Sequence, residues 1–205
     1  MAIGAPTSPP LSGSSMNRIY YFHGFASTAK SWKVQLLKKH VEKEPKISLT
    51  VPTLPVNPME VKEVFGKFVS DYGKPALVIG SSLGGFYARY VSALYDMPAV
   101  LINPSIFPWR TLSVCIGLNT RYYTGETFEW KREYLDSLKE MNDEIEGVDP
   151  KHHHLHFFLA TDDEVLDHAK IPELFPGAAA IRFFDNCKHS FERFPEIIPE
   201  IEKLL

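Results

Sequence analysis

Cysteine is scarce: Cys115 and Cys187 are the two in 205 residues. That excludes a disulfide framework and fits a reducing, cytoplasmic compartment. Neither charge sign dominates, since 22 Lys and Arg against 25 Asp and Glu leave a net charge of −3. Nucleic acid is therefore not an expected partner. No apolar run approaches the roughly 18 residues of a membrane span. The amino end also lacks the basic residues and apolar stretch of a signal peptide. No internal repeat is visible. What is present is ordinary for a folded chain, with 44% hydrophobic and 23% charged residues. At this length a chain buries about 70% of its unfolded surface, enough for a core without staples.

Proline is the one unusual count, at 16 against 12 glycines. Three fall in residues 1–15, MAIGAPTSPPLSGSS, which cannot build a packed face. That stretch is expected to be a disordered extension, with Met16 an alternative start and 16–205 a single domain. Most others punctuate. Pro52, Pro55 and Pro58 lead from an apolar run into a helical pattern. Pro75, Pro98 and Pro150 precede apolar runs, and Pro104 and Pro108 follow one.

Six runs read as strands: 18–22, 47–51, 76–79, 99–102, 155–159 and 180–184. Ala76-Leu-Val-Ile79 and Ala99-Val-Leu-Ile102 are apolar at every position, as in parallel strands covered on both faces. Between them, 58–72 carries Val61, Val64, Phe65, Phe68, Val69 and Tyr72 at helical spacing, with Asn57 placed to cap it. Residues 83–96 repeat that spacing, and 30–43 and 128–145 also suit helices. Alternating elements predict an α/β fold: a mostly parallel sheet of about six strands with helices on both faces. The connection 104–150 is too long for a plain crossover. It is either a large crossover covering the sheet or, in part, a flap over a site. Its aromatics, including Trp109 and Tyr123, either line an acyl groove or pack the crossover.

Gly80-Ser-Ser82-Leu-Gly84 joins a buried run to a periodic helix. No Lys follows as a phosphate loop needs, and Ser82 stands where a dinucleotide fingerprint needs its second glycine. What remains is G-x-S-x-G, the turn that lifts a nucleophilic serine above a sheet. Serine needs a base and an oxyanion site. His189 lies beyond the last strand, where a loop can return it over Ser82. His40 reads as solvated, and His168 follows the acidic loop too closely to serve. The acid belongs on the loop Thr161-Asp162-Asp163-Glu164. The order Ser82, Asp163, His189 is that of α/β-hydrolases. Oxyanion donors are expected at the N–H groups of Leu83 and Phe25, with His23 and Gly24 beside the substrate. His152, His154 and His156 could share one strand face, but three convergent ligands with support are not evident, so no metal is expected. Cys187 reads as a small packed residue.

The sequence resembles the YqiA-like esterases of the UPF0227 group. The resemblance rests on Tyr21-Phe-His-Gly-Phe25, Gly80-Ser-Ser-Leu-Gly-Gly-Phe-Tyr-Ala88, Asn103-Pro104, Tyr123-Thr-Gly125, Asp163-Glu-Val-Leu-Asp167 and His189. It runs from about residue 18 to the carboxyl end. It implies a compact α/β-hydrolase without a large cap domain, cleaving short-chain acyl esters and acyl-CoA thioesters. Ser82, Asp163 and His189 match its nucleophile, acid and base. Two departures stand out: Asp162 replaces a usual glycine, leaving two adjacent acids, and Asn186-Cys-Lys188 precedes the base in place of a Gly-rich loop. The expected function is a cofactor-free serine hydrolase of a small acyl ester or thioester. The alternatives are a binding protein on a retained hydrolase fold, and a peptidase or amidase on the same residues. Nothing in the sequence bears on oligomeric state.

Overall fold

A computed structural model describes residues 16–148 and 152–205. The expected extension at 1–15 and the pre-strand Pro150 lie outside the described residues. The elements are β1 (Asn17–Phe22), α1 (Trp32–Val41), β2 (Ile47–Thr50), α2 (Pro58–Tyr72), β3 (Leu77–Ser81), α3 (Leu83–Tyr95) and β4 (Ala99–Ile102). Then come α4 (Pro108–Thr111), β5 (Gly117–Thr120), β6 (Thr127–Trp130), α5 (Arg132–Ile145), β7 (Leu155–Ala160), α6 (Ile171–Leu174), β8 (Ala180–Phe184) and α7 (Phe194–Glu202).

Six strands form one sheet in the order β2-β1-β3-β4-β7-β8, and every pair is parallel. Alternate side chains of each strand feed opposite cores. Tyr20, Phe22, Val78 and Leu101 face α2, α3 and α5. Ile19, Tyr21, Ile79 and Val100 face α1 and α7. Central strands buried on both faces explain their unbroken apolar runs. The helix over 58–72 forms as expected, with Asn57 Oδ1 accepting the Met59 N–H at 3.1 Å and Pro58 in the first turn.

Two elements differ from the sequence expectation. The helix expected from 128 begins at Arg132, because Thr127–Trp130 pairs antiparallel with Gly117–Thr120 as a hairpin. Four-residue strands with partial burial carry too little alternation to be read alone. The terminal helix α7 was not expected, because Pro195 and Pro199 within nine residues resemble turn chemistry. Its Phe194, Ile197, Ile198 and Ile201 bury one stripe against the sheet face shared with α1.

The order reverses between β1 and β3, so loops leaving their carboxyl ends diverge and open a crevice. Close crossings fix that crevice. A Cβ on Gly80 would meet the Gly84 carbonyl oxygen at 1.9 Å, and one on Gly84 would meet the Phe22 carbonyl oxygen at 2.0 Å. Both obstacles are backbone and cannot swing aside. Gly84→Ala is therefore expected to destabilise the protein by more than about 3 kcal/mol in urea unfolding. Gly66→Ala, in mid-α2 with its nearest neighbour atom at 3.7 Å, should instead stabilise by about 0.5–1 kcal/mol.

Candidate active site

Ser82 sits between β3 and α3 with φ 58° and ψ −122°. A non-glycine residue there is strained and persists because its surroundings over-determine it. The Ser82 N–H donates to the Ile102 carbonyl at 3.1 Å, and its carbonyl accepts from Gly85 and Ser105 at 2.9 and 3.0 Å. The strain turns Oγ out of the sheet toward the crevice.

His189 reaches Ser82 from the loop after β8. Its Nε2 lies 3.1 Å from Ser82 Oγ, and its Nδ1 lies 2.8 Å from Asp163 Oδ2. Asp163 Oδ1 accepts the N–H groups of Val165 and Leu166, both at 2.8 Å. Burial pushes the Asp163 carboxyl up, but hydrogen bonds from His189 and from the Leu166 and Val165 N–H groups outweigh it and hold the group below the ordinary range. An ionised Asp163 fixes the proton on Nδ1 and leaves Nε2 as the acceptor for the Ser82 hydroxyl. Asp162 faces away and accepts the Asn186 N–H at 2.9 Å. The two adjacent acids thus separate into one that meets His189 and one that shapes the neighbouring loop.

Three supports of this chain were not singled out as functional from sequence. Asn103, buried and left-handed at φ 41°, donates through Nδ2 to the carbonyls of Lys188 and His189 at 3.0 and 3.2 Å. Its Oδ1 accepts the Ala160 N–H at 2.7 Å, so one side chain ties β4, β7 and the His189 loop together. Glu164 accepts the His189 N–H at 3.0 Å. His168 is buried with Nδ1 3.6 Å from Asp163 Oδ2, behind the acid rather than beside Ser82. Burial lowers its pKa. Its position in sequence excluded it as the base but gave no sign of this packing.

The loop after β1 closes the other side. A Cβ on Gly24 would lie 3.3 Å from both Ser82 Cβ and the Ser81 carbonyl oxygen, so this backbone runs close beside Ser82. His23 accepts the Leu54 N–H at Nε2 (3.1 Å), which leaves Nδ1 to donate to the Gly24 carbonyl at 3.1 Å. Both ring nitrogens thus serve the main chain, and His23 shapes the loop rather than offering a polar atom to a ligand. The long connection does two jobs. Its α5 covers the sheet, and its hairpin clamps the β1 loop: Phe25 packs edge-on to Phe128 and Trp130, and Arg121 donates to the carbonyls of Ser27 and Leu54.

A cavity of about 420 Å³ contains Ser82 and His189, with His23, Gly24, Phe25, Leu83 and Tyr123 on its wall. Trp109 does not line it; its ring packs on Phe86 and Phe107 instead. The histidines at the start of β7 lie at the sheet's other end. His152 packs on Phe175 and His154 binds Asp96, so His152, His154 and His156 do not converge. Among the described residues, Asp96, His153 and His154 approach one another, at an exposed position.

Burial pushes the His23 pKa down to about 4, from 6.5. The unfolded chain then binds the extra proton between those values. His23 therefore favours folding fully above pH 6.5, and that stability is lost as pH falls toward 4. Urea unfolding should show a loss of about 2 kcal/mol from this group between pH 7 and pH 5. The fall should be correspondingly shallower in His23→Gln.

Comparison with known proteins agrees with this architecture. The esterase domain of a Rhodothermus marinus protein superposes with TM-score 0.66 at 20% identity, over 95% of this chain and 87% of that one. Est1E from Butyrivibrio proteoclasticus gives TM-score 0.68 at 10% identity, over 94% and 87%. Both share the α/β-hydrolase fold with this chain. A UPF0227 protein of Pectobacterium atrosepticum is 32% identical over 189 residues, covering 91% of this chain and 96% of its own length. Residues 18–205 match the family described as "Uncharacterised protein family (UPF0227)", and with nearly the whole described chain inside that match, the protein belongs to UPF0227.

Proposed function

We propose that the protein is a serine hydrolase that cleaves short-chain acyl esters through Ser82, His189 and Asp163. The carrying observation is the continuous chain from Ser82 Oγ through His189 to the buried Asp163 carboxylate, opening on one cavity. The esterases and the Paleococcus ferrophilus monoacylglycerol lipase that share the fold support the same reading.

Chemically, His189 Nε2 takes the Ser82 proton as Oγ attacks the acyl carbonyl. Asp163 holds the imidazole in its Nδ1–H form and stabilises the imidazolium that results. The oxyanion forms between the Leu83 N–H, which the first turn of α3 leaves without an intrahelical acceptor, and the Phe25 N–H beside it. The α3 dipole favours negative charge at that end. His189 then returns its proton to the leaving alcohol, and water attacks the acyl-enzyme by the same route. A thiol leaving group fits the same steps, since it also departs with the proton from His189.

A fluorophosphonate probe is expected to label the wild type and not Ser82→Ala; equal labelling of both would remove Ser82 from this role. Ser82→Ala and His189→Ala should each lower kcat toward p-nitrophenyl butyrate by about 10⁵–10⁶-fold. Asp163→Asn should lower it by about 10⁴-fold, while Asp162→Asn, which touches neither His189 nor the cavity wall, should cost far less. A larger loss from Asp162→Asn would reverse the assignment.

A further inference from the structure

The cavity beside Ser82 has an uneven charge. Among its described wall residues there is no Asp or Glu, and Lys33 is the single Lys or Arg. Lys33 belongs to the first turn of α1, on the same stripe as the buried Val34 and Leu37, and is itself nine-tenths buried. A buried lysine usually has a carboxylate partner. Here, among the described residues, none lies within 4.0 Å. Its Nζ instead donates to the Ser190 carbonyl at 2.7 Å and lies 5.5 Å from the centre of the Trp32 ring. That leaves two of its three donors without a protein acceptor among the described residues. Both Lys33 and Ser190 line the cavity, and Ser190 follows His189 directly. The carboxylate that acts most on it is Glu192, already engaged by the Ser190 hydroxyl and the Lys188 N–H.

Burial pushes the Lys33 ammonium down to about 8, with Glu192 partly opposing that. At neutral pH most of the population still carries the charge, in a place where it is poorly compensated. A buried charge of this kind is stabilised by any anion that enters the cavity and bonds to it. One ammonium balances one negative charge, which suits a carboxylate better than a phosphate dianion. The same wall carries the hydroxyl of Ser31 and a Ser105–Thr111 pair, bonded to each other at 2.9 Å, that keeps one proton to donate to a ligand oxygen.

We propose that the natural ester carries a carboxylate and that Lys33 is the residue that binds it, a specificity inference that rests on the hydrolase reading above. Lys33 then also explains why the first turn of α1 is drawn into the cavity wall. Its bond to Ser190 ties charge recognition to the loop that carries His189.

The test uses two matched ester pairs on the full-length protein. In one, p-nitrophenyl hexanoate is compared with p-nitrophenyl hydrogen adipate, whose carboxylate is too far along the chain to expel its own nitrophenolate readily, so that the charge is on the acyl half. In the other, methyl 4-acetoxybenzoate is compared with 4-acetoxybenzoate, so that the charge is on the alcohol half. Each kcat/KM is divided by that ester's uncatalysed rate. In the wild type, at least one charged member should exceed its neutral twin. That preference should fall about tenfold in Lys33→Met and persist largely in Lys33→Arg. Reading the ratio within each protein cancels any loosening of the His189 loop. Wild type favouring the neutral member in both pairs overturns the proposal without any variant, as does a preference that survives Lys33→Met unchanged. If neutral esters turn over in a Ser82-dependent way without charge preference, the hydrolase reading stands and this inference alone falls. If no ester turns over above Ser82→Ala, both fall.

Discussion

The rest of the structure depends on one backbone conformation, the left-handed Ser82 between β3 and α3. It costs energy by itself, and it holds because two chain segments cross almost in contact on either side. Gly80 against Gly84, and Gly84 against Phe22, leave no room for a Cβ. That contact brings the end of β1 against the start of α3. It therefore sets the distance between Ser82 and the loop of Gly24 and Phe25. Strain in the turn and tight packing around it are one feature: relaxing the crossing would let the turn relax as well.

The second constraint lies along the carboxyl edge of the sheet. Past Asn103 and Thr161, whose N–H groups still bond to Phe158 and Phe184, the backbone ladder ends, so side chains hold the loops after β4, β7 and β8 in register. Asn103 does most of this, with bonds to Ala160 in one direction and to Lys188 and His189 in the other. Asp163, Glu164 and Lys33 add further ties to the same loop. Electrostatics follows from placement. The Asp163 carboxylate is held ionised by three donors, while burial keeps His23 neutral, so a carboxylate and a neutral imidazole sit on opposite sides of Ser82.

Much of this was legible in the sequence because it is periodic or local. The central strands announce themselves by unbroken apolar runs, which only a sheet covered on both faces accommodates. The helix over 58–72 carries its cap and its stripe in adjacent residues. G-x-S-x-G between strand and helix is likewise a local pattern with a steric reason for each glycine. The hairpin Gly117–Trp130 and the helix α7 were not legible. The first is four residues a side, and the second has Phe194, Ile197, Ile198 and Ile201 at helical spacing but broken by Pro195 and Pro199, which masks that stripe. Trp109 and Tyr123 looked equivalent as aromatics in one long connection, yet one packs half-buried on Phe86 and Phe107 and the other lines the cavity.

By itself the sequence determined the strand and helix alternation, the strained serine turn and the chain order of Ser82, Asp163 and His189. Each of these is written in neighbouring residues. Only the tertiary structure set Asp163, and not Asp162, against His189, placed His168 behind Asp163, and brought Lys33 into the wall beside His189. These choices depend on which side chains from distant segments converge, and convergence is set by the twist of the sheet and the reversal of strand order at β1 and β3. Lys33 shows the boundary well. Its place on the apolar stripe of α1 was a local clue that it is buried. What it is buried against comes from 157 residues further along the chain.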